Sequence, residues 1–360
     1  MAVSSAADTA SRRSCRWHHS GVYQIPAPRP SGPRLQLPSS PIVLTTGKIR
    51  GLEEPDFLAK LRVLVCDTMD VAILGLTEAF DVDYEPNIAR DRLLAKVGSY
   101  DVLVVRSRTK VDAGVIARAT RLKLIARPGS GVDNIDTTAA SARGIEVLSS
   151  PETLVESVAE HVVGLMLALA RSTPSADASM KAGRWDKGRF VGVELRGKTL
   201  GIVGLGQIGT RVGEIAKVLG MTIIGFDVAE VPQETLAPLG CRMVDIDTLF
   251  ASSDFITLHV PLTAETKHLV DERRLSMMRK DAFIVNTARG DVIDEAALVM
   301  ALGAGKIRGA GLDVFAGEPK IAEVVMAANT ITTPHIGGQT DHAQTSAVSV
   351  AGAQINEFFG

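Results

Sequence analysis

The stretch LGIVGLGQIGTRVGEIAKVLGMTIIGFD, residues 200–227, leaves few folds open to this chain. An apolar run that reads as a buried strand enters a glycine-rich turn, a helix follows, and a second apolar run ends in Asp227. The three glycines differ in what they permit. Gly204 makes the tight turn, Gly206 lets a pyrophosphate approach the backbone, and Gly209 lets helix and strand pack closely. The helix beginning near Gln207 offers free N–H groups to phosphate oxygens. Asp227 follows Gly209 by 18 residues, placed to accept hydrogen bonds from a ribose diol. Its charge repels a 2′-phosphate, so NAD is expected rather than NADP.

The same alternation of short apolar runs and helical stretches extends along most of the chain. Strands are expected within residues 61–67, 101–107, 122–129 and 145–150, then within 198–206, 221–227, 254–260, 281–290, 309–315 and 329–335. Runs without apolar–polar alternation suit strands buried on both faces, hence parallel sheets covered by helices. Pro151 and Thr153 open a long helix with Leu154, Val158, Val162, Leu165 and Leu169 on its apolar face, and the stretch after Thr340 reads as a final helix. The expected fold is α/β, with two doubly wound parallel sheets.

Composition narrows the function classes. A hydrophobic content of 46% with 22% charged residues fits a soluble globular chain of two domains. The longest uninterrupted apolar run, residues 162–170, falls short of the ~20 residues that span a bilayer, so no membrane role is expected. Residues 1–52 carry +6, and a whole-chain net charge of −2 leaves −8 for the rest. An acidic body offers no footprint for nucleic acid. Cys15, Cys66 and Cys241 are too scattered for a disulfide framework or a metal site; no metal is expected, and a cytoplasmic, reducing location is. The first 58 residues, rich in Ser, Arg and Pro, have no hydrophobic periodicity. They read as a solvated tail, a reading frame begun upstream of the true start, or an organellar import segment.

Hydride transfer between a nicotinamide cofactor and a 2-hydroxy acid needs a group to move the hydroxyl proton, a group to set its pKa, and a group to bind the carboxylate. Three residues follow three different strands of the second series. Arg289 comes after IVNTA, Glu318 after GLDVFAG, and His335 after TITTP. Carboxyl ends of strands are where doubly wound sheets bind ligands, so the three can converge. The remaining histidines are less suitably placed. His18 and His19 lie in the tail, His161 sits on the apolar helix as a packed residue, and His259 is expected along the cofactor cleft. His268 reads as exposed and His342 as a helix-face residue.

The motifs VGLGQIG with GFD, FIVNTARGDVIDEAAL, GAGLDVFAGEP and TTPHIGG resemble the D-isomer-specific 2-hydroxyacid dehydrogenases, and the likeness runs from about residue 61 to 360. The resemblance implies a Rossmann NAD-binding domain, residues 155–336, inserted into a flavodoxin-like substrate domain formed by residues 59–154 and 337–360. It implies a catalytic set of Arg289, Glu318 and His335. For the cofactor it implies Gly204, Gly206, Gln207, Ile208, Gly209, Asp227, Val260, Thr287, Ala288, Asp313, His335, Gly337 and Gly338, with Asp313 near the nicotinamide amide and the two last glycines making room beside His335. It further implies a homodimer, with the helix at 152–172 and the segment GRWDKGRF at the interface and Trp185 as an anchor.

Substrate readings remain plural at this level. In ARPGSGVDNID the resemblance presents Ser130, Gly131 and neighbouring amides to a substrate carboxylate, with Pro128 stiffening the loop. Arg106, Ser107 and Arg127, with Arg108 beside them, would add a small anion pocket, as a phosphorylated 2-hydroxy acid requires. Structural ion pairs are the competing reading of those arginines. Rival functions are reduction of hydroxypyruvate, glyoxylate or another 2-keto acid, and a nucleotide-sensing role like that of corepressors sharing this fold. A C-terminal regulatory domain is not expected, because the sequence stops after the final helix.

Overall fold

A computed structural model describes residues 60–360. The first fifty-nine residues, including His18, His19 and Cys15, lie outside it. Two parallel sheets dominate. The first comprises β1 (Leu61–Val65), β2 (Phe80–Tyr84), β3 (Val102–Val104), β4 (Leu124–Arg127) and β5 (Glu146–Ser149), in the order β2-β1-β3-β4-β5. That is the flavodoxin-like order. The second comprises β6 (Thr199–Val203), β7 (Thr222–Phe226), β8 (Arg242–Met243), β9 (Phe255–Leu258), β10 (Phe283–Asn286), β11 (Gly309–Leu312) and β12 (Thr330–Thr332). Its order, β12-β11-β10-β9-β6-β7-β8, is the Rossmann arrangement with one added strand.

The expected strands all form; those inside the sheets are buried on both faces, as at Val63, Leu64, Val65, Val102, Leu103 and Val104, while the edge strands β5 and β12 are only partly covered. Two strands were not expected. In β2, FDVDY, Asp81 and Asp83 alternate with Phe80 and Val82, as suits an edge strand with one wet face. The other, β8, is only two residues long.

A helix over Val155–Arg171, entered through a short turn at Pro151–Leu154, runs from the first lobe into the second. Residues Pro151–Arg171 are apolar and long enough to cross a membrane by hydropathy alone. Here the apolar stripe serves the interior: Val158, Val162, Leu165, Met166 and Leu169 pack with Phe283 and Val285 of β10. The last helix, Asp341–Phe359, returns to the first sheet, where Val348, Ala351 and Ile355 join Val63, Val65 and Val102.

Register aligns the strand ends. Val203 pairs with Phe226 and Leu258, Leu258 with Asn286, Asn286 with Leu312, and Leu312 with Thr332. The next residues, Asp227, Gly204, His259, Thr287, Asp313 and Thr333, therefore stand in one row along the carboxyl edge. Strand order reverses between β6 and β9, which is where such sheets hold ligands.

Candidate active site

The glycine turn is built as its sequence requires. Gly204 has φ +92°, and a Cβ there would lie 2.5 Å from the His259 carbonyl oxygen. A Cβ on Gly209 would lie 2.0 Å from the Gly204 carbonyl oxygen, so only glycine permits this helix–strand approach. Gly206 differs: its Cβ would meet nothing within 4 Å, which leaves the approach to the helix open. That helix, Gln207–Val218, begins with no side-chain cap, so the amides of Gln207, Ile208 and Gly209 are free to donate. Asp227 accepts the Leu205 N–H at 2.7 Å and the Ala229 N–H at 3.0 Å, which fixes its carboxylate beside the turn. An open glycine turn, free amides and an oriented carboxylate fit a dinucleotide. Val260 closes on the same turn, its Cγ1 lying 3.1 Å from the Cβ position of Gly204.

Further along the edge stands His335. Its Nδ1 lies 2.5 Å from Glu318 Oε1, which leaves Nε2 as the ring nitrogen available for a substrate. The Glu318 contact raises the imidazole pKa, against burial and the Arg289 charge, which lower it. His335 has φ +55°, a left-handed conformation uncommon outside glycine. Its amide donates to the Asp313 carbonyl at 2.8 Å. Asp313 is 1% exposed and accepts from Thr333 Oγ1 at 2.6 Å and from the amides of Ile336 and Gly337 at 2.8 Å each. Burial would raise its pKa, but these donors and His161 hold it below the usual carboxylate range. The Asp313 carboxylate, expected beside the nicotinamide amide, thus grips the loop that carries His335. Side chains at the two glycines expected to make room for cofactor would meet protein. A Cβ on Gly337 would lie 3.0 Å from Asp313 Oδ2, and one on Gly338 would lie 3.4 Å from Leu154.

Arg289 extends from the loop after β10. The buried Asn286 side chain shapes that loop, donating to the Arg289 carbonyl at 2.8 Å and accepting the Ala288 N–H at 3.0 Å. Thr287 lies in the same turn, its hydroxyl buried and without a hydrogen-bond partner among the described residues. A Cβ on Gly290 would lie 2.0 Å from the Phe315 carbonyl carbon, so this glycine brings the Arg289 and Glu318 loops together. Arg289 reaches across the cleft: Nε and Nη2 donate to Asp133 Oδ2 at 2.9 and 2.7 Å, and Nη1 donates to the Ala288 carbonyl at 2.6 Å.

Opposite lies the loop Gly129–Asp133, with Ser130 at its crest. Cβ atoms on Gly129 and Gly131 would lie 2.0 Å from Arg127 Nη1 and Arg289 Nη2 respectively, so both guanidinium groups rest directly on this backbone. Burial, reinforced by the charges of Arg289 and Arg106, pushes Arg127 down to about 10. Its Nε is buried without a hydrogen-bond partner among the described residues. Burial lowers Arg106 too, partly offset by Asp67. Neither arginine makes an ion pair among the described residues, against the structural reading. Ser107 and Arg108 are exposed at the mouth.

The other histidines that the structure describes fall as follows. His259 is pushed down to about 3 by burial and is neutral, its Nε2 lying 2.9 Å from Thr257 Oγ1. His268 and His342 are exposed. Sequence reasoning missed Asp133, Asn286, Gly290 and the hydrogen-bonding role of His161. Asp133 and Gly290 both stand within recognisable motifs, but no spacing rule connects either to its partner.

A profile described as D-isomer specific 2-hydroxyacid dehydrogenase, NAD binding domain, matches residues 163–337. Hydroxypyruvate reductase of Thermotoga maritima is 45% identical over 294 residues, which cover 80% of this chain and 94% of that protein. The chain belongs to the D-isomer-specific 2-hydroxyacid dehydrogenases. A D-3-phosphoglycerate dehydrogenase of Methanocaldococcus jannaschii is 48% identical over 300 residues, covering 82% of this chain and 57% of the relative. The chain thus spans little more than half the length of that protein. Among solved structures, a glyoxylate reductase from Paecilomyes thermophila superposes with a TM-score of 0.76 at 31% identity, covering 83% of this chain and 95% of that one. The cofactor of this dehydrogenase family is NAD, and the glycine cradle, the free amides and Asp227 are the residues that would hold it.

Proposed function

We propose that this dehydrogenase interconverts D-3-phosphoglycerate and 3-phosphohydroxypyruvate, the opening step of the phosphorylated route to serine. NAD, when bound, supplies the hydride acceptor. His335 Nε2 takes the hydroxyl proton as C2 is oxidised and returns it during reduction. Glu318 stabilises the imidazolium through Nδ1. Arg289 binds the carboxylate and polarises the carbonyl, while the amides around Ser130 and Gly131 hold the other carboxylate oxygen. The carrying observation is the excess of positive charge at Arg106 and Arg127, both partly buried and neither ion-paired among the described residues. A substrate with a second anionic group neutralises that excess; glyoxylate does not.

A second reading has its own support. The hydroxypyruvate reductase match spans nearly the whole of that relative, whereas the phosphoglycerate dehydrogenases align over little more than half of theirs. Rates of NADH oxidation with phosphohydroxypyruvate, hydroxypyruvate, glyoxylate and pyruvate decide between the two. The phosphorylated acid is expected to give the highest kcat/KM, and Arg127→Ala to cost it far more than it costs glyoxylate. Equal loss on both substrates would exclude the phosphate pocket. In this reading residues 59–154 and 337–360 form the substrate domain, residues 155–336 the NAD domain, and the protein acts as a homodimer.

A further inference from the structure

The helix Val155–Arg171 touches the loop of His335 twice, through residues one turn apart. Ser157, 7% exposed, donates its hydroxyl to the Gly337 carbonyl at 2.7 Å. His161 Nε2 lies 3.0 Å from Thr333 Oγ1 and 3.4 Å from Asp313 Oδ1. Thr333 donates its own hydrogen to Asp313, so the bond from His161 requires a hydrogen on Nε2. The helix therefore grips the chain two residues before His335 and two residues after it. Between these points Asp313 binds the amides of Ile336 and Gly337.

Such bracing has a physical reason. A histidine at φ +55° is held in a sparsely populated conformation, and it persists only where surrounding contacts determine it. Release of either end lets the backbone relax and carries the imidazole away from Glu318. Residues 157 and 161 share one face because they are four apart on a helix. We infer that His161 and Ser157 are positioning residues for His335, acting through Thr333, Asp313 and the Gly337 carbonyl. The inference rests on the reading of His335 as the proton carrier, and it gives His161 a purpose beyond packing. The charged groups facing His335 are Glu318, Asp313 and Arg289.

NMR titration of the imidazole Cε1–H resonances in the cofactor-free protein, with His335 assigned through His335→Asn, provides a readout independent of turnover. His161→Leu is expected to move the His335 midpoint to lower pH and cut kcat at least tenfold, with KM for the keto acid within about twofold. His161→Gln retains an N–H donor and is expected to restore most of both. Ser157→Ala and the pair Thr333→Val and Thr333→Ser test the same bracing from its other members, should His161→Leu not fold. An unchanged His335 midpoint in His161→Leu, or in Thr333→Val, overturns the inference, even if kcat falls together with Tm. Turnover surviving in His335→Asn would instead sink the proton-carrier reading, while the midpoint shift still judges the bracing.

Discussion

His335 and Arg289 each hold a carboxylate in this structure, and the two carboxylates have opposite consequences. Glu318 raises the His335 pKa and so keeps the imidazolium available at higher pH. Reduction requires the protonated form, so reductive activity is present below that raised pKa and lost as pH climbs through it. Glu318→Gln removes the leading cause of the shift, and the pH of half-loss in a kcat profile is expected to move down. An unmoved profile would detach Glu318 from the proton transfer. His335→Asn is expected to lower kcat by ~10²–10⁴-fold with NADH affinity, read by fluorescence, nearly intact. Asp133 acts the other way. It occupies the Nε–Nη2 edge of Arg289 that a bidentate substrate carboxylate would use. With the Asp133 side chain more than half exposed, the pair is worth ~0.2–1 kcal/mol. Asp133→Asn is therefore expected to tighten oxalate binding to the NADH complex about 2- to 5-fold by calorimetry. Weaker binding would mean that Asp133 orients Arg289 rather than competing for it. The positions of Arg289, Glu318 and His335 were legible because each follows a strand within a short motif. The Asp133 contact was not, because its partners are 156 residues apart.

At the level of elements, an exacting demand falls on Gly209. A methyl group there meets the Gly204 carbonyl oxygen 2.0 Å away, and backbone cannot rotate aside as a side chain can. Gly209→Ala is expected to destabilise the protein by ~1–3 kcal/mol and weaken NADH binding at least ~10-fold, checked by thermal melting and fluorescence titration. A neutral result would mean that helix and strand can separate without loss of the site. The same βαβ unit was readable because its glycines and Asp227 are separated by fixed local distances. Parallel strands were readable because burial on both faces writes them as continuous apolar runs. β2 escaped because Asp81 and Asp83 break its run at the sheet edge, where one face needs no apolar cover. The cradle was thus legible as sequence, while the bracing of the His335 loop was not. Thr333 Oγ1, Asp313 and His161 meet only after strand register and helix packing set them side by side.

At the scale of the molecule, several large apolar side chains stand exposed among the described residues, and four of them share one segment. Leu167 is 43% exposed, Met180 53%, Trp185 80% and Val191 75%, and all four fall within one continuous stretch of chain. Trp185 borders a recess shared with Met180 and Phe190. Isolated exposed apolar residues are ordinary, but a tryptophan this open at a recess with Met180 is a candidate interaction surface. The helix Val155–Arg171 serves two surfaces at once: its inner face fills the core beside β10, and its outer face carries Leu167. A second copy of the chain, related by twofold symmetry, would cover this surface with the same residues. Aromatic anchors at such interfaces cost ~2 kcal/mol or more when truncated. Trp185→Ala is therefore expected to weaken the proposed dimer roughly 30-fold, seen as a concentration-dependent shift to monomer in sedimentation equilibrium. Because the interlobe helix also braces His335, the monomeric fraction is expected to lose kcat before it loses NADH affinity. A Trp185→Ala protein that stays dimeric at all concentrations would place the contact surface elsewhere.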